Sequence, residues 1–258
     1  MNKNHQIIHG DCVEELKKLN SQSVDCVITD PPFNIGFKYD AYKDNMSHGD
    51  YISWCETWLT ECIRVMKNEA SLYIINYPEN NAYILPFLQQ HLYFKRWLTW
   101  HYPTNIGQSK NNYTRSQHSI LFCTKGENPT FNKDDIAEPY RNPNDKRIKK
   151  LIEGGSKGKT PYDVIVMNRV KNVSKEKTIH PCQIPIDLLS IFIKASTNEG
   201  DVVLDPFGGS FSTAKACNLL NRKSISIELD KKYVQIANEH FSSNNSLFDC
   251  FDRNTIGL

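Results

Sequence analysis

Short apolar runs rich in Val and Ile alternate along this chain with stretches in which apolar residues recur every three or four positions. The first kind predicts β-strands over residues 6–9, 25–29, 71–76, 96–100, 119–123, 202–205 and 224–228. The second predicts helices over 13–19, 51–67, 186–195, 213–220 and 231–240. In the longest of these, Ile52, Trp54, Trp58, Leu59, Ile63 and Met66 fall on roughly one face and are expected to form its buried stripe. Strands alternating with helices imply an α/β protein built on a largely parallel sheet.

Two stretches break the rhythm. Residues 34–49 follow a strand with no strong periodicity and read as a mobile loop beside whatever that strand presents. Residues 128–177 are rich in Pro, Gly, Asn and Lys and read as an insertion on the sheet scaffold. The expected organisation is 1–127 as one half of a single domain, 128–177 as the insertion and 178–258 as the other half. A chain of 258 residues has room for one substantial core and a modest insert. No apolar run reaches the about 18 residues of a membrane span, and residues 1–6 lack the apolar core of a signal peptide, so a cytoplasmic protein without membrane contact is expected. The eight cysteines are scattered without a CxxC pair. They point to small core residues, not to a zinc or disulfide framework, and no metal site is expected.

The formal charge is only +2, but residues 141–177 set eleven Lys and Arg against four Asp and Glu. Such a run is either a solvated face or the footprint of a polyanion, and charge alone does not choose between them.

The residues that suggest chemistry stand at strand ends. Asp30-Pro31-Pro32-Phe33 follows the apolar strand that ends at Thr29, and in open α/β sheets ligands gather at the carboxyl ends of strands. Two consecutive prolines fix φ and remove two backbone donors, leaving their carbonyls as acceptors in a rigid turn. A carboxylate, a fixed carbonyl and an aromatic ring suit an amino group on a flat heterocycle: the acceptors take its two N–H bonds and Phe33 stacks on the ring. Asp-Pro-Pro by itself is a common turn; the strand before it and the ring after it give it weight. A second motif, Asp205-Pro206-Phe207-Gly208-Gly209-Ser210-Phe211-Ser212, also follows a strand, and its adjacent glycines permit close approach of backbone to a ligand. Glu228 lies 23 residues beyond Asp205, near the spacing of about 20 at which an acidic residue binds ribose hydroxyls. A third, His180-Pro181-Cys182-Gln183-Ile184-Pro185, precedes a helix. Pro185 suits the first helical turn, and spacing alone reads His180 as a structural or capping residue. His9-Gly10-Asp11-Cys12 ends the first strand and offers a cap for the helix after it.

Together these motifs resemble the amino-methyltransferases of DNA restriction–modification systems, in their permuted β group. There the catalytic D-P-P-[YF] comes first, a target-recognition insertion follows and the F-x-G-x-G cofactor loop comes last. The resemblance spans nearly the whole chain. It implies a Rossmann-like S-adenosylmethionine-dependent methyltransferase fold, a mixed, mostly parallel sheet flanked by helices. It also implies methyl transfer to N6 of adenine in double-stranded DNA, with the target base flipped out of the helix. By the same resemblance Asp30, Pro31, Pro32 and Phe33 are the catalytic set, Glu228 binds the ribose, and Asp11 and Cys12 lie near the cofactor adenine. Phe207, Gly208, Gly209 and Ser210, with His180, Pro181 and Gln183, line the methionine end, and Asp30, Asp205 and Ser212 belong to the same cofactor set. The insertion becomes the DNA reader, with Arg141, Lys146, Arg147, Lys157, Lys159, Arg169 and Lys171 as contacts and the polar loop 102–115 assisting. A cognate restriction endonuclease and a homodimer are the further partners the resemblance brings in.

Two positions depart from the pattern: Phe211 stands where the family has the last glycine of its loop, and Ile184 where it has lysine. N4-cytosine methylation is the nearest alternative, because it needs the same chemistry; members with that activity more often carry Ser at the Asp30 position. Methylation of RNA or of a protein glutamine, and a non-catalytic DNA-binding subunit, are the more distant readings.

Overall fold

The computed structural model describes residues 4–37, 42, 44–104, 107–170 and 183–242. Within them the strand–helix alternation closes into one eight-stranded sheet. Strands β1 (His5–His9), β2 (Val24–Thr29), β3 (Met66–Asn76), β4 (Tyr93–His101), β5 (Gln117–Thr124), β6 (Val164–Val166), β7 (Val202–Asp205) and β8 (Lys223–Glu228) stand in the order β1-β8-β7-β2-β3-β5-β4-β6. The first five in that order run parallel, β5 is antiparallel to β3 and β4, and β6 is parallel to β4.

The helices are α1 (Cys12–Lys18), α2 (His48–Val65), α3 (Pro78–Gln89), α4 (Lys146–Glu153), α5 (Ile186–Ser196), α6 (Ser212–Leu219) and α7 (Lys231–Ser242). Successive strand residues point to opposite faces, and here they serve two cores. Val27, Leu72 and Ile74 pack with Leu16, Trp58 and Ile84 of α1, α2 and α3. Their neighbours Cys26, Ile28, Tyr73 and Ile75 pack with Leu189, Phe192 and Ala216 of α5 and α6. A sheet covered on both faces explains why its central strands read as near-continuous apolar runs. Among the described residues, no helix is long and apolar enough to cross a membrane.

All seven expected strands and all five expected helices form, and the differences have physical causes. The fully buried stripe of α2 is Tyr51, Cys55, Trp58, Leu59, Cys62 and Val65, while Ile52, Trp54 and Ile63 are partly buried beside it. Cysteine buries like a small hydrophobe, so counting only the large apolar side chains rotates the expected face. The described cysteines, Cys12, Cys26, Cys55, Cys62, Cys123 and Cys217, are all buried and free. Helix α3 was hidden by Pro86 in its interior and by Asn80 and Asn81, which are polar yet buried. Helix α4 was hidden by its charge; its apolar Leu151 and Ile152 remain exposed.

The stretch 128–177 is more closely tied to the sheet than an insertion suggests. It donates β6, which pairs with Thr99, Trp100 and His101 of β4. Near its start, the Asn132 side-chain amide donates to the carbonyls of Lys194 and Thr197 at the end of α5. The stretch 34–49 is likewise no free loop where it is described. The Asp44 carboxylate, 2% exposed, accepts from the backbone N–H groups of Asn34, Ile35 and Phe37. Asn34 and Met46 exchange two further bonds. Donors that no strand takes up are gathered by one buried carboxylate.

Candidate active site

Strands β2 and β7 are neighbours whose connections depart in opposite directions. From β2 the chain crosses through α2 to β3; from β7 it crosses through α6, on the other face, to β8. Such a switch point opens a crevice at the carboxyl ends of the strands. Asp30 follows β2 and Asp205 ends β7, so the two acids flank that crevice.

The crevice is a cleft of about 1120 Å³, open mouth included. Thirteen of the expected residues line it: Asp11, Cys12, Asp30, Pro31, Pro32, Phe33, Asp205, Phe207, Gly208, Gly209, Ser210, Ser212 and Glu228. His180 and Pro181 lie outside the described residues. Gln183 is buried but is not part of the cleft wall; its neighbour Ile184 is, which brings an apolar side chain where the resembled family places a cation. The sequence reading missed Tyr42, Trp54, Asp230 and Tyr233, which are also part of the wall. Trp54 had a helical spacing that read as core, and Tyr42 had no signal at all. Asp230 and Tyr233 were reachable by following Glu228 into the start of α7.

The first rim of the cleft is set by Asp11, whose carboxylate accepts from the N–H groups of Val13 and Glu14 and caps α1. Beside it, burial pushes the Cys12 thiol pKa up and keeps it neutral. The glycine turn is shaped mainly by its own backbone. Gly208 N–H donates to the Ile227 carbonyl at 2.7 Å, and the Glu228 carboxylate accepts from Gly209 N–H and Asp230 N–H, both at 2.7 Å. Asp205 accepts from Phe207 N–H and from the Thr213 hydroxyl.

Phe211 sits at φ 57°, ψ 29°, in the left-handed region, where it is the N-cap of α6. An L-residue pays about 1–2 kcal/mol for that conformation. The ring is 3% exposed and packs with Ala214, Val234 and Ala237. The backbone thus keeps the shape a glycine would adopt while a large side chain fills the space beneath. Gly208 makes room for it: a Cβ there would meet Phe211 Cε1 at 2.9 Å.

Three acids face one another across the cleft. Burial, and then the neighbouring Asp205, push Asp30 well above the usual carboxylate range. Burial raises Asp205 to about 7 against the pull of its Thr213 hydrogen bond, and burial raises Glu228 as well. Burial, and less strongly the neighbouring acids, disfavour the ionised forms, which a cation between the carboxylates would restore.

On the far side of the Asp30–Phe33 turn, Phe33 packs against Tyr77 and His118 at 5.0 and 5.3 Å between ring centroids. Burial lowers His118 to about 4, so this histidine is neutral. Arg115 lies 4.0 Å over the Tyr77 ring and pairs with both oxygens of Glu79. Tyr102, in contact with His118, carries Arg169 at 4.7 Å over its ring. Arg169 is therefore linked to the Asp30–Phe33 turn by a chain of rings. Among the other expected DNA contacts, Arg141, Lys146, Arg147 and Lys157 are exposed, although Arg147 is drawn toward its own helix cap Asp145. Lys159 departs from expectation: its ammonium is shielded from solvent over the Tyr162 ring. Lys171 lies outside the described residues.

A doubly wound sheet whose acidic strand ends meet a glycine turn at the switch point defines a Rossmann-like protein that binds a nucleoside at that edge. Comparison with known proteins narrows the class. The N6/N4 methyltransferase family, described as DNA methylase, matches residues 24–239. The type II methyltransferase M.HpaI of Haemophilus parainfluenzae is 35% identical over 252 residues, 96% of this chain and 77% of that protein. The DNA adenine methyltransferase YhdJ of Escherichia coli K12 is 35% identical over 240 residues, 91% of this chain and 82% of its own. Among solved structures, the cytosine-N4-specific PvuII DNA methyltransferase superposes with a TM-score of 0.73 at 18% identity, covering 96% of this chain and 90% of that one. The M1.HpyAVI complex with its cofactor superposes at 0.67 with 24% identity, covering 92% and 98%. This chain belongs to the N6/N4 DNA methylase family, the amino-methyltransferases of restriction–modification type.

Proposed function

We propose that this DNA amino-methyltransferase acts on N6 of adenine, in duplex DNA, on a base flipped into the cleft. The observation that carries the reading is the pairing of the Asp30 carboxylate with the Pro31 carbonyl at the switch point, on a wall shared with Glu228 and the glycine turn. Among the described residues, nothing in the protein donates to the Pro31 carbonyl.

The cofactor is S-adenosylmethionine, and the cleft fits it. Glu228 stands at the end of β8 beside the glycine turn, where a ribose is held by its hydroxyls. Trp54, Phe207 and Ile184 supply apolar wall. A cation would favour the ionised forms of Asp30, Asp205 and Glu228, and S-adenosylmethionine, when bound, would supply that charge together with an electrophilic methyl group.

The chain's own residues do the rest. The exocyclic nitrogen of adenine is a poor nucleophile because its lone pair is delocalised into the ring. Asp30 accepts one of its N–H bonds and the Pro31 carbonyl the other, which localises the pair. Phe33 stacks on the base and offsets part of the cost of extruding it. As positive charge develops on nitrogen, the Asp30 carboxylate stabilises it in a site largely closed to water, and an Asp30 oxygen takes the proton the nitrogen then loses. Most of the rate comes from holding these groups in line. Arg141, Arg147 and Arg169 are assigned to base edges, and Lys146, Lys157 and Lys171 to phosphates. Lys159 serves there only after leaving Tyr162.

Adenine is favoured over cytosine by Asp at position 30 and by the 35% identity to an enzyme named as an adenine methyltransferase. The test is to incubate the protein with labelled S-adenosylmethionine and mixed-sequence DNA, then digest to nucleosides for mass spectrometry, with Asp30→Ala as control. Label in N6-methyladenosine, absent from the control, is the expected result. Label in N4-methylcytosine keeps the chemistry and overturns the choice of base.

A further inference from the structure

The catalytic turn has three carbonyls after Asp30, and the scaffold treats them unequally. The Pro32 carbonyl accepts from the Tyr51 hydroxyl at 2.9 Å, and the Phe33 carbonyl accepts from the Asn80 side-chain amide at 2.8 Å. The Pro31 carbonyl between Asp30 and these two is left to the cleft. The donors come from different elements, Tyr51 from α2 and Asn80 from α3. Asn76, at the end of β3, joins them: its amide donates to the Tyr51 oxygen at 2.9 Å, and its own oxygen accepts from Asn80 at 2.9 Å.

The direction of every bond in this group is determined. Asn76 Oδ1 also accepts from the backbone N–H of Tyr77 at 2.7 Å, and a backbone nitrogen only donates. That fixes which end of the Asn76 amide is oxygen, so its Nδ2 must donate to Tyr51. The phenol oxygen, already accepting, has one proton to give, and Pro32 is where it goes. Burial raises the Tyr51 pKa, so that proton is always present. Both hydrogens of Asn80 Nδ2 are used, one on Phe33 and one on Asn76. Tyr51 and Asn76 are fully buried and Asn80 is 8% exposed, so no water substitutes for a lost partner without cost.

We infer that Tyr51, Asn76 and Asn80 are positioning residues for methyl transfer: a closed relay of side-chain hydrogen bonds that holds the Pro32 and Phe33 carbonyls away from the cleft and so aims the Pro31 carbonyl and Asp30 at the target amino group. The inference rests on the proposed roles of Asp30 and Pro31. None of the three residues lines the cleft, so they act through the turn. The prolines fix φ, and Pro32 also confines ψ of Pro31; ψ at Pro32 and Phe33 is left open, and the relay restrains the two carbonyls whose direction it sets.

Tyr51→Phe removes one oxygen from a buried side chain without changing its shape, and Asn80→Leu removes the amide from α3. The measurements are melting temperature, calorimetric affinity for S-adenosylmethionine, and the single-turnover rate of methyl transfer on the DNA that the wild type labels. A rate lowered on the order of 10–100-fold, the effect of a displacement near 1 Å, with cofactor affinity within about twofold, is expected of Tyr51→Phe. An unchanged single-turnover rate in both variants overturns the relay while leaving Asp30 in place. Equal losses of rate and cofactor affinity overturn it too, because they report general loosening. Failure of Asp30→Ala to abolish transfer is a separate result that removes the roles of Asp30 and Pro31. If the wild type labels no DNA, amide hydrogen exchange at residues 33–37 decides: faster exchange in Tyr51→Phe upholds the restraint of the turn, and unchanged exchange overturns it.

Discussion

The two walls of the cleft begin alike, each as a parallel strand running into an aspartate and a proline, yet they are held in opposite ways. On the β2 side the backbone is stiffened by two prolines and pinned from outside by the side chains of Tyr51, Asn80 and Asp44. Its Pro31 carbonyl is left open: among the described residues nothing donates to it. On the β7 side the acids are already engaged. Asp205 is bound by Phe207 and Thr213, and Glu228 by Gly209 and Asp230. The wall proposed to do the chemistry keeps the Pro31 carbonyl unspent, while the wall proposed to bind the cofactor spends its acceptors on shaping a loop of glycines. A group that must act on a substrate in the transition state gains from being rigid and unsatisfied. A group that holds a cofactor can exchange one set of donors for another.

This contrast predicts different failures on the two sides. The largest effect belongs to Asp30→Ala, which should lower the transfer rate by about 10³-fold or more while cofactor affinity largely survives. Near-normal turnover would end the distinction between the walls. Glu228→Ala should weaken S-adenosylmethionine on the order of 10²-fold, the equivalent of about two hydrogen bonds to a charged acceptor, with a smaller effect on rate at saturation; unchanged binding by calorimetry removes its assigned role.

The third effect is in pH. A cation prefers the carboxylates ionised, so cofactor affinity should fall as pH drops through about 7, the value for Asp205. Protons should be released on binding. The free protein should show the opposite trend in stability. Asp205 stays protonated when folded and ionises near pH 4 when unfolded. Its contribution to stability is therefore full below about pH 4 and is lost as pH rises toward 7. Asp205→Asn should flatten both trends, and melting curves with and without cofactor at pH 5 and 8 read them directly.

The smallest effect sharpens the picture of the glycine turn. Phe211→Gly relieves about 1–2 kcal/mol of left-handed strain but deletes a buried aromatic ring worth about 3–5 kcal/mol, so burial wins and the protein is destabilised. Phe211→Ala loses the ring and keeps the strain, and should melt below Phe211→Gly. The reverse order would mean that the left-handed turn is not held in solution.

Much of this was legible in the sequence because it is local. Each of the seven expected strands carries its own apolar run, and Asp30, Glu228 and the glycines stand where strand ends put them. What stayed hidden is made by distance or by disguise. Strand β6 is three residues long and has meaning only beside β4. Helix α3 mixes asparagine and proline into its turns. The partners of the Asp30–Phe33 turn lie 19 and 47 residues away, at Tyr51 and Asn80, and a buried asparagine looks like a surface one until the fold surrounds it. Asp44 is the same case: an acid in a polar stretch, indistinguishable from solvated charge until three backbone donors converge on it.

The packing of Phe211 beneath Gly208 also sets an order of change. A side chain at position 208 collides with a ring that has no space to withdraw into, whereas a glycine at 211 leaves that space empty. The two positions are thus coupled: residue 208 can take on a Cβ only after residue 211 has become small, and then only a short one, because the Ile227 carbonyl stands 3.3 Å away; a descendant that takes the steps in the other order passes through a damaged glycine turn.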